Sequence, residues 1–286
     1  MKNNFFSILA VAFLAASCSS SDDASTTSPL NLNLTGLENL GSNFKYEGWL
    51  VVNNAPVSTG TFTVNDQGVL SQTSFTFDKT KLAAATQFVL SIEPSNDTDP
   101  APSNTKYIAG TFSGNSANIS TGIVGDFSAS TGKYFLASPT NGNTNPKAGV
   151  WFLDGNGASP TVGLSLPTLG AGWKYEGWVV SNGVLLSTGT FSNPNGSDAT
   201  AIYSGTLPAP PFPGEDFLIN APTGLTFPAN LSGATLVISV EPFPDNSPMP
   251  FTMKPLSHVI ASPVVTGTTI NMTRSLSSFP TGTVTR

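Results

Sequence analysis

Phe44-Lys45-Tyr46-Glu47-Gly48-Trp49 returns as Trp173-Lys174-Tyr175-Glu176-Gly177-Trp178. Ser58-Thr59-Gly60-Thr61-Phe62 returns as Ser187-Thr188-Gly189-Thr190-Phe191 at the same interval of 129 residues (173 − 44 and 187 − 58). Two blocks recurring in order at one spacing mark a duplicated structural unit. A third block, Phe88-Val89-Leu90-Ser91-Ile92-Glu93-Pro94, recurs as Leu236-Val237-Ile238-Ser239-Val240-Glu241-Pro242 at 148, so the second copy holds 19 extra residues (148 − 129).

Each copy reads as strands. The stretch 45–53 is rich in aromatic and β-branched residues and ends on the turn pair Asn53-Asn54. Tyr46, Leu50 and Val52 fall on one face and Trp49 and Val51 on the other, the pattern of a central strand. Gly48 and Gly177 sit mid-strand, where glycine marks a bulge or a close approach by a neighbour. Further strands are expected near 57–64, 69–77, 87–93, 106–112, 134–138 and 150–153, with one helical turn at 78–85. Their counterparts fall near 173–181, 185–191, 199–205, 236–241, 258–261 and 268–272. Short strands broken by Gly, Pro and Asn predict an all-β chain of two tandem antiparallel β-sandwich domains. Repeat 1 is expected over 31–158 and repeat 2 over 159–286, with an insertion near 207–227.

The N-terminus has one cation at Lys2, an apolar run from Phe5 to Ala16, and the small residue Ser17 before Cys18. That is an export signal over residues 1–17, shorter than the roughly 20 apolar residues of a membrane-spanning helix. Leu14-Ala15-Ala16-Ser17-Cys18 resembles a bacterial lipoprotein box, which implies acylation of Cys18 and a membrane partner through the lipid anchor. Cys18 is the chain's single cysteine, so it has no internal disulfide to serve. A flexible linker is expected over 18–30; its Ser19-Ser20-Ser21-Asp22-Asp23 is similar to the surface-export signal of some outer-membrane lipoproteins. The implied location is the cell envelope, at the outer membrane, on its periplasmic face or the cell surface.

Charged residues make up only 10% of the chain and the net charge is -6. With few cations to displace counterions from phosphates, nucleic acid is excluded as a partner.

Tyr46, Trp49, Val51, Val52, Ser58 to Phe62, Glu93, Pro94, Asp97, Pro100, Pro102 and Ile108 to Gly110 form a spaced series. The second copy answers with Tyr175, Trp178, Val179, Val180, Ser187 to Phe191, Glu241, Pro242, Asp245, Pro248, Pro250, Ile260 and Ala261. The series resembles the extracytoplasmic C-terminal domain of anti-sigma-K factors. What the resemblance implies is a sandwich fold and a sensing or docking role in the envelope. The cytoplasmic helical module and spanning helix of that family have no counterpart here, so sequestration of a sigma factor does not carry over.

Candidate chemistry is sparse. His258 is the single histidine, and no Gly-x-Ser-x-Gly elbow accompanies it. The acids Glu47 with Glu93, and Glu176 with Glu241, are the possible pairs for glycoside hydrolysis. Their presence in both copies suits a structural role instead, in which Glu93 and Glu241 accept turn amides while Glu47 and Glu176 pair with Lys45 and Lys174. Glu93, Asp97 and Asp99 gather oxygen ligands in one loop, a conceivable Ca2+ site, although the spacing is not that of an EF-hand. Trp49, Trp151, Trp173 and Trp178 read as core. Phe212, Phe217, Phe243 and Phe251 lie in proline-rich loops of the second copy and are the candidate binding surface, held in stiff extended segments that lower the entropy cost of binding. The expected function is therefore a lipid-anchored, non-enzymatic envelope protein that binds a protein or ligand, with no catalytic residues and no bound metal. The alternatives are a surface carbohydrate-binding or adhesive lipoprotein and, more remotely, a glycosidase.

Overall fold

The computed structural model describes residues 25–245 and 247–286, so the expected signal peptide and Cys18 lie outside the described residues. The fold is nearly all β; α1 (Lys79–Ala84), capped by the Asp78 carboxylate, is the one α-helix among the described residues. The first half contributes β1 (Thr27–Thr35), β2 (Phe44–Val52), β3 (Ala55–Phe62), β4 (Ser74–Asp78), β5 (Gln87–Pro94), β6 (Lys106–Ser113) and β7 (Ser116–Ile119). The middle of the chain gives β8 (Thr131–Leu136), β9 (Gly149–Trp151), β10 (Leu153–Asp154), β11 (Thr161–Val162) and β12 (Leu164–Ser165). There follow β13 (Trp173–Ser181), β14 (Val184–Phe191), β15 (Gly214–Asp216), β16 (Thr235–Pro242), β17 (Leu256–Val259), β18 (Thr269–Asn271), β19 (Thr273–Arg274) and β20 (Thr281–Thr285).

The duplicated blocks fold alike. β2 lies between β3 and β5, and β13 between β14 and β16, all antiparallel. The register breaks after Gly48 and again after Gly177, the expected bulges. Opposite them Gly60 and Gly189 take φ +114° and +113°, a conformation that only glycine adopts without strain. Close approach is also present: a Cβ on Gly48 would strike Thr59 Oγ1 and stand 3.0 Å from the Phe88 ring, and one on Gly177 would strike Thr188 Oγ1 and stand 2.7 Å from Phe152. Tyr46 and Tyr175 are fully buried, and each hydroxyl donates to the carbonyl eight residues upstream, Glu38 O at 2.9 Å and Pro167 O at 2.6 Å. The four tryptophans are core, as expected.

Three expectations about elements are corrected. Residues 27–30, read as flexible linker, begin β1, because Leu30, Leu32 and Leu34 are buried in alternation with exposed Asn31, Asn33 and Thr35. Residues 199–205 are not a strand but an irregular segment, in which the Ser204 hydroxyl donates to the Glu215 carboxylate. The 19 extra residues do not form one appendage. β15 pairs with β9 as β4 pairs with β1, setting Glu215 opposite Val150 and Phe75 opposite Leu30. The interval at that point is 140 (215 − 75), so 11 of the extra residues precede β15 and 8 follow it.

Hydrogen-bond ladders cross the boundary expected near 155–161. β20 fills the gap between β1 and β7, completing the eight-stranded sheet β3-β2-β5-β6-β7-β20-β1-β4. β8, which follows β7 in sequence, leaves that sheet and pairs with β9, β12 and β18 of the other half. The two placements match in register. Gly282 lies opposite Leu34 and Ile119, while Gly132 lies opposite Leu164 and accepts the Met272 amide at 2.8 Å. β9, expected in repeat 1, therefore opens the second half, and each half so divided hands its last strand to the other, β20 to β1 and β7, and β8 to β9, β12 and β18. The connectors leading into the two exchanged strands meet at Phe127 and Phe279, edge to face with ring centroids 5.2 Å apart.

Candidate binding cleft

The repeated Ser-x-Glu-Pro block builds the same internal relay twice. Trp49 Nε1 donates to Ser91 Oγ at 2.8 Å, and Ser91 donates to Glu93, whose Oε1 also accepts the Ser103 amide at 2.9 Å. In the second copy Trp178 Nε1 donates to Ser239 Oγ at 2.8 Å, Ser239 donates to Glu241, and the Phe251 amide donates to Glu241 Oε1 at 2.9 Å. Both carboxylates are buried. The expectation that they accept turn amides holds, with the donor ten residues downstream each time. Burial raises the pKa of Glu93 against the hydrogen bonds of Ser91 and Ser103, and it pushes Glu241 up to about 8. The Ser239 and Phe251 hydrogen bonds oppose that rise, and the nearby charges of Glu176 and Asp245 add to it.

The expected pairing of Glu47 and Glu176 with lysines is corrected. Ser58 donates to Glu47 and Ser187 to Glu176, hydroxyls from the strand directly opposite, which reach the carboxylates without ordering a long side chain. Glu176 is held up at about 7 by burial, against the Ser187 hydrogen bond. Lys45 instead donates to Ser95 O at 3.4 Å, and Lys174 Nζ lies 3.8 Å above the centre of the Phe243 ring.

The calcium loop does not gather its acids. Glu93 turns into the interior, while Asp97 and Asp99 each spend an oxygen on an amide two residues on, Asp99 N at 2.9 Å and Ala101 N at 3.0 Å. No group of three or more His, Cys, Asp or Glu side chains is arranged to hold a metal among the described residues. His258 stands in β17, with Nδ1 3.0 Å from the Tyr134 hydroxyl across the two halves.

The four loop phenylalanines separate. Phe217 and Phe251 are corrected to core residues: Phe217 stacks among Tyr203 and Phe227, and Phe251 closes a cluster with Tyr107 and Trp173 at 5.3 and 5.7 Å. Phe212 is half-buried ahead of β15. Phe243 alone stands out, 51% exposed. It rims a cleft of about 230 Å³ lined also by Phe44, Ile92, Pro94, Asn104 and Pro244. The cleft lies where the two Glu-Pro strand ends meet, Pro94 from one repeat and Pro242 from the other. Asn104 and Phe44 carry no sequence signal for this role. The available signal is the recurrence of Pro94 as Pro242, since related strand ends gather where two copies face one another.

Outside the cleft lining, the Glu38 carboxylate reaches across the repeats to accept the Thr252 amide at 2.7 Å. Burial pushes it up to about 7, against the opposing pull of that amide and of Lys254. The cleft thus combines proline and phenylalanine walls with the Ser103 and Thr105 hydroxyls and the Asn104 amide. In comparisons with known proteins, no family model, no curated protein and no solved structure matches this chain.

Proposed function

We propose that this chain is a non-enzymatic envelope protein, anchored through acylated Cys18, that binds a segment of another envelope protein in the cleft beside Phe243. The observation that carries the reading is the exposed Phe243 ring, braced by Lys174 between Pro242 and Pro244 at the junction of the repeats. A pre-held ring in a stiff loop loses little entropy on binding. The acids offered for hydrolysis serve matched internal roles in both copies, which favours binding over turnover. The resemblance to anti-sigma-K C-terminal domains and the lipoprotein-like N-terminus support the envelope setting.

Crosslinking pull-down from intact cells tests it. Phe243→Ala is expected to lower capture of the partner roughly tenfold, the loss of one interface anchor. Equal capture by both proteins would sink the reading. Because one face of the ring is braced by a cation, a sugar could stack on the other; glycan-array binding abolished by Phe243→Ala would favour the carbohydrate alternative. Separately, Cys18→Ala is expected to move the protein from the membrane to the soluble fraction, read by fractionation, since several acyl chains supply the anchor.

A further inference from the structure

We propose that the slot between β1 and β7 accepts the β20 segment of a second copy of this chain, so that two molecules form a strand-exchanged dimer. The chain already performs the exchange within itself. β8 and β20 occupy matched positions in opposite halves, with Thr131-Gly132 and Thr281-Gly282 in equivalent register, 150 residues apart (282 − 132). In an exchange of this kind the sheet recognises a strand by its register and side-chain pattern and is indifferent to which molecule supplies it.

β20 suits such transfer. It contributes one fully buried side chain, Val284, is laddered on both edges by β1 and β7, and is followed by Arg286. The Arg286 guanidinium donates to Leu82 O and Ala85 O at 2.7 and 2.5 Å and lies 4.3 Å above the Phe112 ring. Every one of these contacts is to residues far away in sequence, so an identical segment from another molecule would make them equally well. The connector 275–280 carries exposed Leu276 and Ser277, while Ser278 is held by Thr252 and Lys254 and Phe279 packs on Phe127, so these contacts must release for the connector to span two molecules. When β20 leaves, β1 and β7 present unpaired edges above Leu32, Leu34, Ala117 and Ile119, a template for another strand. Because the contacts of β20 are the same in both forms, the dimer carries the entropy cost of association and its share rises only with protein concentration.

Asn33, exposed, and Thr283, half-buried, lie directly opposite one another, and antiparallel partners stand close enough for a disulfide. Two proteins, Asn33→Cys and Thr283→Cys, each with Cys18→Ser, are mixed at low and high concentration, opened briefly in mild denaturant, returned to buffer and oxidised. A disulfide between them forms only if β20 of one molecule fills the slot of the other. The expected result is a covalent heterodimer on a non-reducing gel, increasing several-fold with concentration and exceeding the off-register mixture of Asn33→Cys with Thr281→Cys. Heterodimer no more abundant than in the off-register mixture overturns the proposal. Hydrogen exchange on the unmodified chain gives a second reading. The amides of β20 are expected to exchange well before those of β5, and protection equal to that of β5 overturns it too.

Discussion

Phe251→Ala is expected to lower the melting temperature by roughly 10 °C. The ring is 1% exposed and touches Tyr107 and Trp173, so its removal takes out core contacts from both repeats at once. Truncating a buried phenylalanine costs about 3–5 kcal/mol, and a chain of this size loses a few degrees per kcal/mol. The backbone amide of Phe251 also donates to Glu241, so disorder around position 251 would loosen the second relay. Phe243→Ala, eight residues earlier in the same loop, is expected to cost about 1 kcal/mol or less, the worth of an exposed ring under a lysine. Thermal unfolding of the two variants side by side checks both values. Equal losses would mean that this loop is not divided into a buried ring and a displayed one.

Raising the pH from 5 to 9 is expected to destabilise the native chain by a few kcal/mol, read as a melting temperature lower by roughly 5–10 °C. Glu241 is held up at about 8, and Glu38, Glu176, Asp198 and Glu215 at about 7, in every case chiefly by burial. A carboxyl whose folded pKa is raised keeps its proton in the native state while the unfolded chain has already released it. Between about 4.5 and 8 the native state therefore binds more protons, and stability falls as pH rises through that window. The contribution is fully present below the unfolded values near 4 and lost above 8. Glu241→Gln keeps the shape and the neutral form, so the slope between pH 7 and 9 is expected to flatten in that variant. A protein that is more stable at pH 9 than at pH 5 would contradict the assignment of protonated buried acids.

The legible features share one property: they are local or repeated. Gly48 and Gly177 announce their bulges because only glycine leaves room beside Phe88 and Phe152. Glu93 and Glu241 announce their amide acceptors because the same acid ends the same strand twice. The serines that hold Glu47 and Glu176 are harder to read, although Ser58 and Ser187 open a repeated block, because a carboxylate with a lysine two places away suggests a charge pair first. β1 is hidden by its polar alternate face of Asn31, Asn33 and Thr35, which reads as a spacer until the leucines between them are found to be buried. β20 is hidden because its five residues are mostly Thr and Gly and its partners lie about 165 and 250 positions away (282 − 119 and 284 − 32).

From the sequence alone came the duplication, the all-β class, the mid-strand glycines, the buried tryptophans and the amide-accepting Glu93 and Glu241, because period-two patterning and bulge geometry are set within a few residues. Tertiary structure decided that the two halves trade their last strands, that Phe217 and Phe251 are core while Phe243 is displayed, and that Pro94 and Pro242 face one cleft. An edge strand satisfies its hydrogen bonds with any partner of compatible register, and a loop ring is buried or bare according to what another part of the chain lays over it. Neither outcome is written in the residues nearby.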